Sequence, residues 1–315
     1  MKKEPLVILT GPTAVGKTRL SISLAKAIGG EILSADSMQV YKHMDIGSAK
    51  IRPEEMEGVP HYLVDVLEPF EEFHVVRFQQ MAKEAMAIIR SHGHIPILVG
   101  GTGFYIQAIV GDVDFTENEA GPHRQELERL AAEQGAHVLH EELRKVDEAS
   151  AAAIHEHNVK RVIRALEFYR LTGKKISEHN EEQREKESPY NSAYFVLNDD
   201  RARLYARIEQ RVDEMLKEGL LEEVVRLKEM GCHRGLVSMQ GLGYKEMLAC
   251  LDGEYTFQEA VDVLKRDTRH FAKRQLTWFR RERGVIWLNK EEYGYEEERL
   301  LSAMLNVLKE KEIIR

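Results

Sequence analysis

The sequence predicts an α/β protein: a parallel sheet flanked by helices and interrupted by an all-helical insertion. Two observations predict it. Short apolar runs recur early in the chain, each stopped by a turn and followed by a helical pattern, which is the alternation of a parallel sheet. Between about residues 120 and 188 the strand signal vanishes and dense charges fall on helical patterns. The expected division is a core of residues 1–115 and 189–315 around an insertion of residues 116–188.

In chain order, Leu6-Val7-Ile8-Leu9 reads as a buried strand, because parallel strands covered on both faces are continuously apolar. Residues 16–28 place Leu20, Ile22, Leu24, Ala27 and Ile28 at helical spacing and stop at Gly29-Gly30. Glu31 to Ser34 reads as the second strand and His61 to Val66 as another. Residues 75–91 form a helix with Phe78, Met81, Ala85, Ile88 and Ile89 on one face, and Ile95 to Val99 is the next strand. Beyond the insertion, whose polar end at residues 178–188 reads as a linker or frayed helix, Tyr194 to Leu197 returns to strand. From Arg203 the chain is helical, with a last strand at Val285 to Leu288.

Composition bounds the function. A chain that is 43% hydrophobic and 31% charged is too apolar for disorder. A net charge of −8 excludes a uniformly basic binder, but it leaves nucleic acid open, since the placement of charge decides. Cys232 and Cys250 make neither a zinc spacing nor a disulfide framework, which fits a reducing compartment. No apolar stretch reaches membrane-spanning length and no secretory leader pattern is present, so a cytoplasmic protein with no membrane partner is expected.

Gly11-Pro12-Thr13-Ala14-Val15-Gly16-Lys17-Thr18 matches G-x-x-x-x-G-K-[ST] between a strand and a helix. Its glycines let backbone N–H groups turn toward phosphate oxygens, and the helix N-terminus adds its dipole. Lys17 supplies a point charge, and the Thr18 hydroxyl suits Mg²⁺. The motif specifies a polyphosphate without specifying ATP. Asp36 follows the second strand, whose carboxyl end should line the ligand crevice. It suits a proton acceptor or an Mg²⁺ ligand, and equally a turn or helix-cap aspartate. Gly100-Gly101-Thr102-Gly103 ends the third clear strand, either for close ligand approach or as a plain tight turn. A kinase strand at this place usually ends in an Mg²⁺-binding Asp.

Basic clusters stand out against the acidic whole. Lys160, Arg161 and Arg164 share one turn of the insertion. Residues 265–283 carry eight Lys and Arg against Asp267 and Glu282, with Trp278 and Phe279 interleaved. Such a face suits a nucleic-acid backbone and stacked bases, or is a solvated helix face. Met239-Gln240-Gly241-Leu242-Gly243-Tyr244 reads as a neighbouring loop that presents an aromatic.

Together the P-loop, the run from Asp36 through Ser37, Met38 and Gln39 to Tyr41, residues 44–50, Gly100 to Gly103, Met239 to Tyr244 and Lys273 to Arg280 resemble the bacterial tRNA dimethylallyltransferase family over nearly the whole chain. The resemblance implies a P-loop NTPase-like core and transfer of a dimethylallyl group from its diphosphate to N6 of the adenine 3′ to the anticodon, with Mg²⁺. It implies Asp36 as catalytic base, Thr102 near the reacting adenine, and Lys17 and Arg211 on the diphosphate beside Gly11, Thr13, Ala14, Val15, Gly16 and Thr18, with Thr18 the metal ligand. It implies tRNA contacts at Asp36, Ser37, Met38, Gln39, Thr102, Arg124, Lys160, Arg161, Arg164, Met239, Gln240, Gly241, Gly243, Tyr244, Lys273 and Arg274. The expected partners are a tRNA anticodon loop and dimethylallyl diphosphate, bound by a monomer. Two other readings stay open on the residues alone: an ATP-dependent small-molecule or nucleoside kinase, and a non-catalytic RNA-binding P-loop module.

Overall fold

A computed structural model describes residues 3–115 and 122–315. In the first part of the chain β1 (Glu4–Thr10), α1 (Lys17–Ile28), β2 (Gly30–Ala35), β3 (His61–Tyr62), α2 (Val75–Ser91), β4 (Ile95–Gly100) and α3 (Gly103–Val110) follow one another. Five helices come next: α4 (Pro122–Gln134), α5 (Ala136–Val146), α6 (Glu148–Ala153), α7 (Val159–Thr172) and α8 (Ile176–Glu185). The chain returns as β5 (Tyr190–Asn198), α9 (Arg201–Glu218), α10 (Leu220–Glu229), α11 (Tyr244–Leu251), α12 (Phe257–Phe279), β6 (Val285–Asn289) and α13 (Glu297–Glu310).

The strands form one parallel sheet in the order β3-β2-β4-β1-β5-β6. Leu6 to Leu9 of β1 are fully buried, as a central strand covered on both faces requires. Glycine ends α1: Gly29 adopts a left-handed conformation and its N–H returns to the Ala25 carbonyl. Asp200 caps α9 by accepting from the N–H groups of Ala202 and Arg203. Thr256 and Glu259 close a reciprocal capping box at the start of α12.

The chain divides into two compact units, one running to Val110 and resuming at Pro189, the other Gly111–Ser188. The expected insertion start at residue 116 lies outside the described residues. The second unit has its own core of Leu127, Leu139, Leu143, Val162, Ile163 and Leu166.

Two elements differ from the sequence expectation. The strand expected over residues 61–66 stops after Tyr62, because Leu63 and Asp65 take positive φ values near 60° and break the extended run. The polar stretch from residue 178 is largely helix, α8. Its first turn is fastened by the buried Asp147, which accepts from both the backbone N–H and the hydroxyl of Ser177, and Ile176 joins the apolar core. Among the described residues no helix is long and apolar enough to cross a membrane.

Candidate active site

The sheet order places three loops side by side. β1 pairs with β4, and β4 with β2, so the loops leaving their carboxyl ends are neighbours. These are the P-loop, the Gly100–Gly103 turn and the turn at Asp36. The Thr102 N–H donates to the carbonyl of Ala35 at 3.2 Å, which sets Thr102 next to Asp36. The Thr102 carbonyl in turn accepts from the N–H groups of Tyr105 and Ile106 at the start of α3.

Close approach explains two of the glycines. A Cβ on Gly11, whose φ is +146°, would stand 2.3 Å from the Leu197 carbonyl oxygen of the adjacent strand. A Cβ on Gly103 would stand 2.3 Å from the Trp278 ring. The open question at the Gly-Gly-Thr strand end is thus answered in part by packing against α12.

Cations converge on the P-loop. The Lys17 ammonium donates to the carbonyls of Gly11 (3.0 Å) and Pro12 (2.8 Å), folded back on its own loop. Burial, and next the charge of Arg211, lower its pKa from 10.5 to about 7, against the opposing pull of Asp36. Arg211, one turn beyond Arg207 on α9, is itself lowered by burial and then by Arg207, while Asp36 acts to raise it. Lys17, Arg211 and Asp36 therefore share one electrostatic neighbourhood. Thr18 is exposed at the start of α1.

Of its two sequence readings, Asp36 visibly fills that of the turn aspartate. Oδ1 accepts from the N–H groups of Met38 (2.8 Å) and Gln39 (3.3 Å), so it caps the turn. Oδ2 receives no hydrogen bond from any described residue and is available for chemistry. Gln39 spends its amide N–H₂ on the carbonyls of Ser48 and Ala49, which ties the Asp36 turn to the loop of residues 44–50.

Three residues that the sequence reading passed over take part in the site. Gln275 of α12 is buried. Its Oε1 accepts from the N–H of Thr13 and its Nε2 donates to the carbonyl of Gly101, both at 2.9 Å, so one side chain clamps the P-loop to the Thr102 turn. Lys290 reaches the Val15 carbonyl at 3.4 Å and Asp199 at 3.6 Å. Burial and then Arg207 lower its pKa. Glu223, also buried, accepts from the N–H groups of Asp45, Ile46 and Gly47 and from the Tyr244 hydroxyl, which gives the loop of residues 44–50 its shape. Gln275 was visible only as a member of a motif, and no local pattern marks Lys290 or Glu223.

Several residues assigned to tRNA sit differently from expectation. Tyr244 is fully buried, with Gly47 against its ring and its hydroxyl on Glu223, so it cannot present an aromatic face to a base. Met239 and Gly243 are buried as well, and only Gln240 of this loop is exposed. Gly241 is half-buried and meets the Met38 side chain, which joins this loop to the Asp36 turn; Ser37 and Met38 are half-buried. On α12 the aromatics leave the basic face: Phe279 is fully buried and Trp278 lies against Gly103. Lys265, Arg266 and Arg269 are paired with Asp213, Asp267 and Glu209. Lys273 and Arg274 are exposed with no ion pair among the described residues.

The helical unit, taken by itself, carries Lys160, Arg161 and Arg164 on the exposed side of α7, opposite buried Val162, Ile163 and Leu166. Arg124 is half-buried, 3.5 Å from Glu128 and 4.0 Å from the buried Glu167.

The sequence model of the family described as IPP transferase matches residues 39–282, and one described as isopentenyl transferase matches residues 5–68. The chain belongs to the IPP transferase family. It is 63% identical to the tRNA dimethylallyltransferase of Lachnoclostridium phytofermentans, over 99% of this chain and 100% of that protein. It is 49% identical to the tRNA dimethylallyltransferase of Carboxydothermus hydrogenoformans, over 93% and 94%. Among solved structures of IPP transferases, the full-length tRNA isopentenylpyrophosphate transferase of Bacillus halodurans superposes with a TM-score of 0.74 at 44% identity, covering 98% of each chain. A eukaryotic dimethylallyltransferase acting on tRNA gives a TM-score of 0.79 at 31% identity, over 91% of this chain and 74% of that one. The IPP transferase core is thus the parallel sheet that brings Asp36, Thr102 and the P-loop together.

Proposed function

We propose that this protein is a tRNA dimethylallyltransferase that moves the dimethylallyl group of dimethylallyl diphosphate to N6 of the adenine 3′-adjacent to the anticodon. The observation that carries this reading is the juxtaposition of a cation-lined P-loop with the free Oδ2 of Asp36. A phosphate cradle beside a proton acceptor, with no kinase-type Asp at the end of β4, suits a diphosphate leaving group better than a phosphoryl donor.

In this scheme Lys17, Arg211 and the P-loop amides hold the diphosphate. N6 of adenine bonds to C1 of the dimethylallyl group as the C1–O bond breaks. The bonding pair leaves with the diphosphate, and the N6 proton passes to Asp36 Oδ2. The exocyclic amine is a weak nucleophile because its lone pair is delocalised into the ring, so a positioned base contributes about 10²–10⁴-fold. The Thr18 hydroxyl and the Asp36 carboxylate are hard oxygen donors of the kind Mg²⁺ takes. Thr18 would hold the ion, which supplies charge neutralisation on the departing diphosphate.

The target base must leave the anticodon-loop stack, at a cost of a few kcal/mol. Ser37, Met38, Gln39 and Thr102 border the place it would enter. The exposed cations Lys160, Arg161, Arg164, Lys273 and Arg274, with Arg124 and Gln240, are assigned to the tRNA itself. The backbone of the Met239–Tyr244 loop, rather than its aromatic ring, shapes the entrance. We assign the enzyme to the cytoplasm as a monomer.

The test is a reaction of purified protein, Mg²⁺, unmodified tRNA and dimethylallyl diphosphate without ATP. Mass spectrometry of the digested tRNA should show an adenosine heavier by one dimethylallyl group, with diphosphate released. ATP consumption with no such nucleoside would contradict the proposal.

A further inference from the structure

A second constellation lies at the opposite end of β2. Glu31 is at the start of the strand and Asp36 just beyond its end, about 17 Å away at the usual strand rise. Glu31 is 2% exposed, a burial at which a carboxylate needs compensation. No Lys or Arg among the described residues pairs with it. Its Oε1 instead meets two imidazoles by the same ring nitrogen, Nδ1 of His92 at 2.9 Å and Nδ1 of His94 at 2.6 Å. Its Oε2 accepts from the Tyr62 hydroxyl at 2.6 Å.

The backbone that carries the two histidines is held in place. The His92–His94 turn leaves α2 through Gly93 at φ +76°. The N–H groups of His92 and His94 both return to the last turn of that helix, and the Ile95 N–H donates to the Gly29 carbonyl at the entry to β2. The three candidate ligand atoms lie within 4.8 Å of one another, and both histidines are half exposed, which leaves one side open to solvent. Two imidazole nitrogens and one carboxylate oxygen form the donor set of a borderline divalent transition ion, held at about 2.0–2.2 Å from each ligand. Tyr62, bonded to the second carboxylate oxygen, has the orienting role that outer partners play around metal-bound carboxylates.

We propose that Glu31, His92 and His94 bind one divalent transition-metal ion of the Zn²⁺ class. The ion neutralises the buried carboxylate and ties β2 to the connection between α2 and β4. This role is structural and independent of the proposed transfer reaction.

The experiment uses the full chain, stripped with EDTA, titrated calorimetrically with Zn²⁺ alone and followed in parallel by the visible absorption of Co²⁺. Wild type should bind one equivalent that the His92→Ala/His94→Ala double variant lacks, and Zn²⁺ should raise the unfolding temperature of wild type only. Tyr62→Phe should bind about tenfold more weakly. If the double variant does not fold, His94→Asn alone should weaken binding by at least that factor. No binding at about 100 μM Zn²⁺, far above any dissociation constant a structural site would need, would overturn the proposal. So would the same stoichiometry and Co²⁺ spectrum in the variants, since other histidines would then be the ligands.

Discussion

The cations around the P-loop and those on α7 and α12 are the same residue types in opposite physical states. Lys17, Arg211 and Lys290 are half-buried, each has an arginine beside it (Arg211 for Lys17, Arg207 for the other two), and all three have depressed pKa values. Lys160, Arg161, Arg164, Lys273 and Arg274 are exposed and make no ion pair among the described residues. Crowded cations are costly until an anion arrives, so they suit a small polyanion held in one geometry. Exposed cations cost little and form a diffuse field, which suits the backbone of a large polyanion. The difference teaches that charge count alone does not assign a ligand. Enclosure does.

The largest expected effect breaks the chemistry and spares both cation sets. Asp36→Asn keeps an oxygen for the turn but loses the base, so single-turnover transfer should fall by about 10²–10⁴-fold. Filter binding of tRNA should stay near wild type, and loss of both together would make Asp36 structural.

Next comes the enclosed set. Lys17→Met should lower the transfer rate by about 10²–10³-fold, the scale of removing one preorganised charge donor. The lowered Lys17 pKa also gives a signed pH effect. Free protein carries a largely neutral Lys17 above pH of about 7, and a bound diphosphate favours the charged form. Beyond the protons that inorganic diphosphate itself exchanges, its binding should therefore add an uptake by Lys17 of close to one proton at pH 8 and almost none at pH 6. Calorimetry in buffers of different ionisation enthalpy reads this directly, and Lys17→Met should abolish the uptake.

Gln275→Leu separates position from charge. It removes the clamp between Thr13 and Gly101 without touching a cation, and misplacement on the ångström scale costs up to about 10²-fold. The expected result is a lower kcat with a nearly unchanged KM for tRNA.

The smallest effect on the chemical step belongs to the exposed set. Lys160→Ala/Arg161→Ala/Arg164→Ala should leave kcat near wild type and make the plot of log affinity for tRNA against log salt shallower by about 2–3. An unchanged slope in a titration series would remove α7 from the tRNA surface.

Legibility in the sequence followed range. The P-loop, the strand carboxyl ends and the break into a helical unit are written in contiguous residues, where periodicity and glycine placement carry the physics. Gln275 acts on Thr13 across 262 residues and Lys290 on Val15 across 275, and only the folded sheet makes those neighbours. Tyr244 failed for a different reason. Its flanking glycines resemble an exposed loop, but Glu223 and Gly47 turn the ring into the core. The aromatics of α12 erred likewise: sequence proximity to basic residues says nothing about which face an aromatic takes, and Phe279 faces inward.

The most direct test measures both affinities of one protein sample, for inorganic diphosphate and for tRNA, between about 50 and 200 mM salt. The two cation sets predict a steep loss of tRNA affinity from counterion release and a much smaller change for diphosphate, whose partners are sheltered from screening. Parallel salt dependences would contradict the proposed division between an enclosed diphosphate-binding set and an exposed tRNA-binding set.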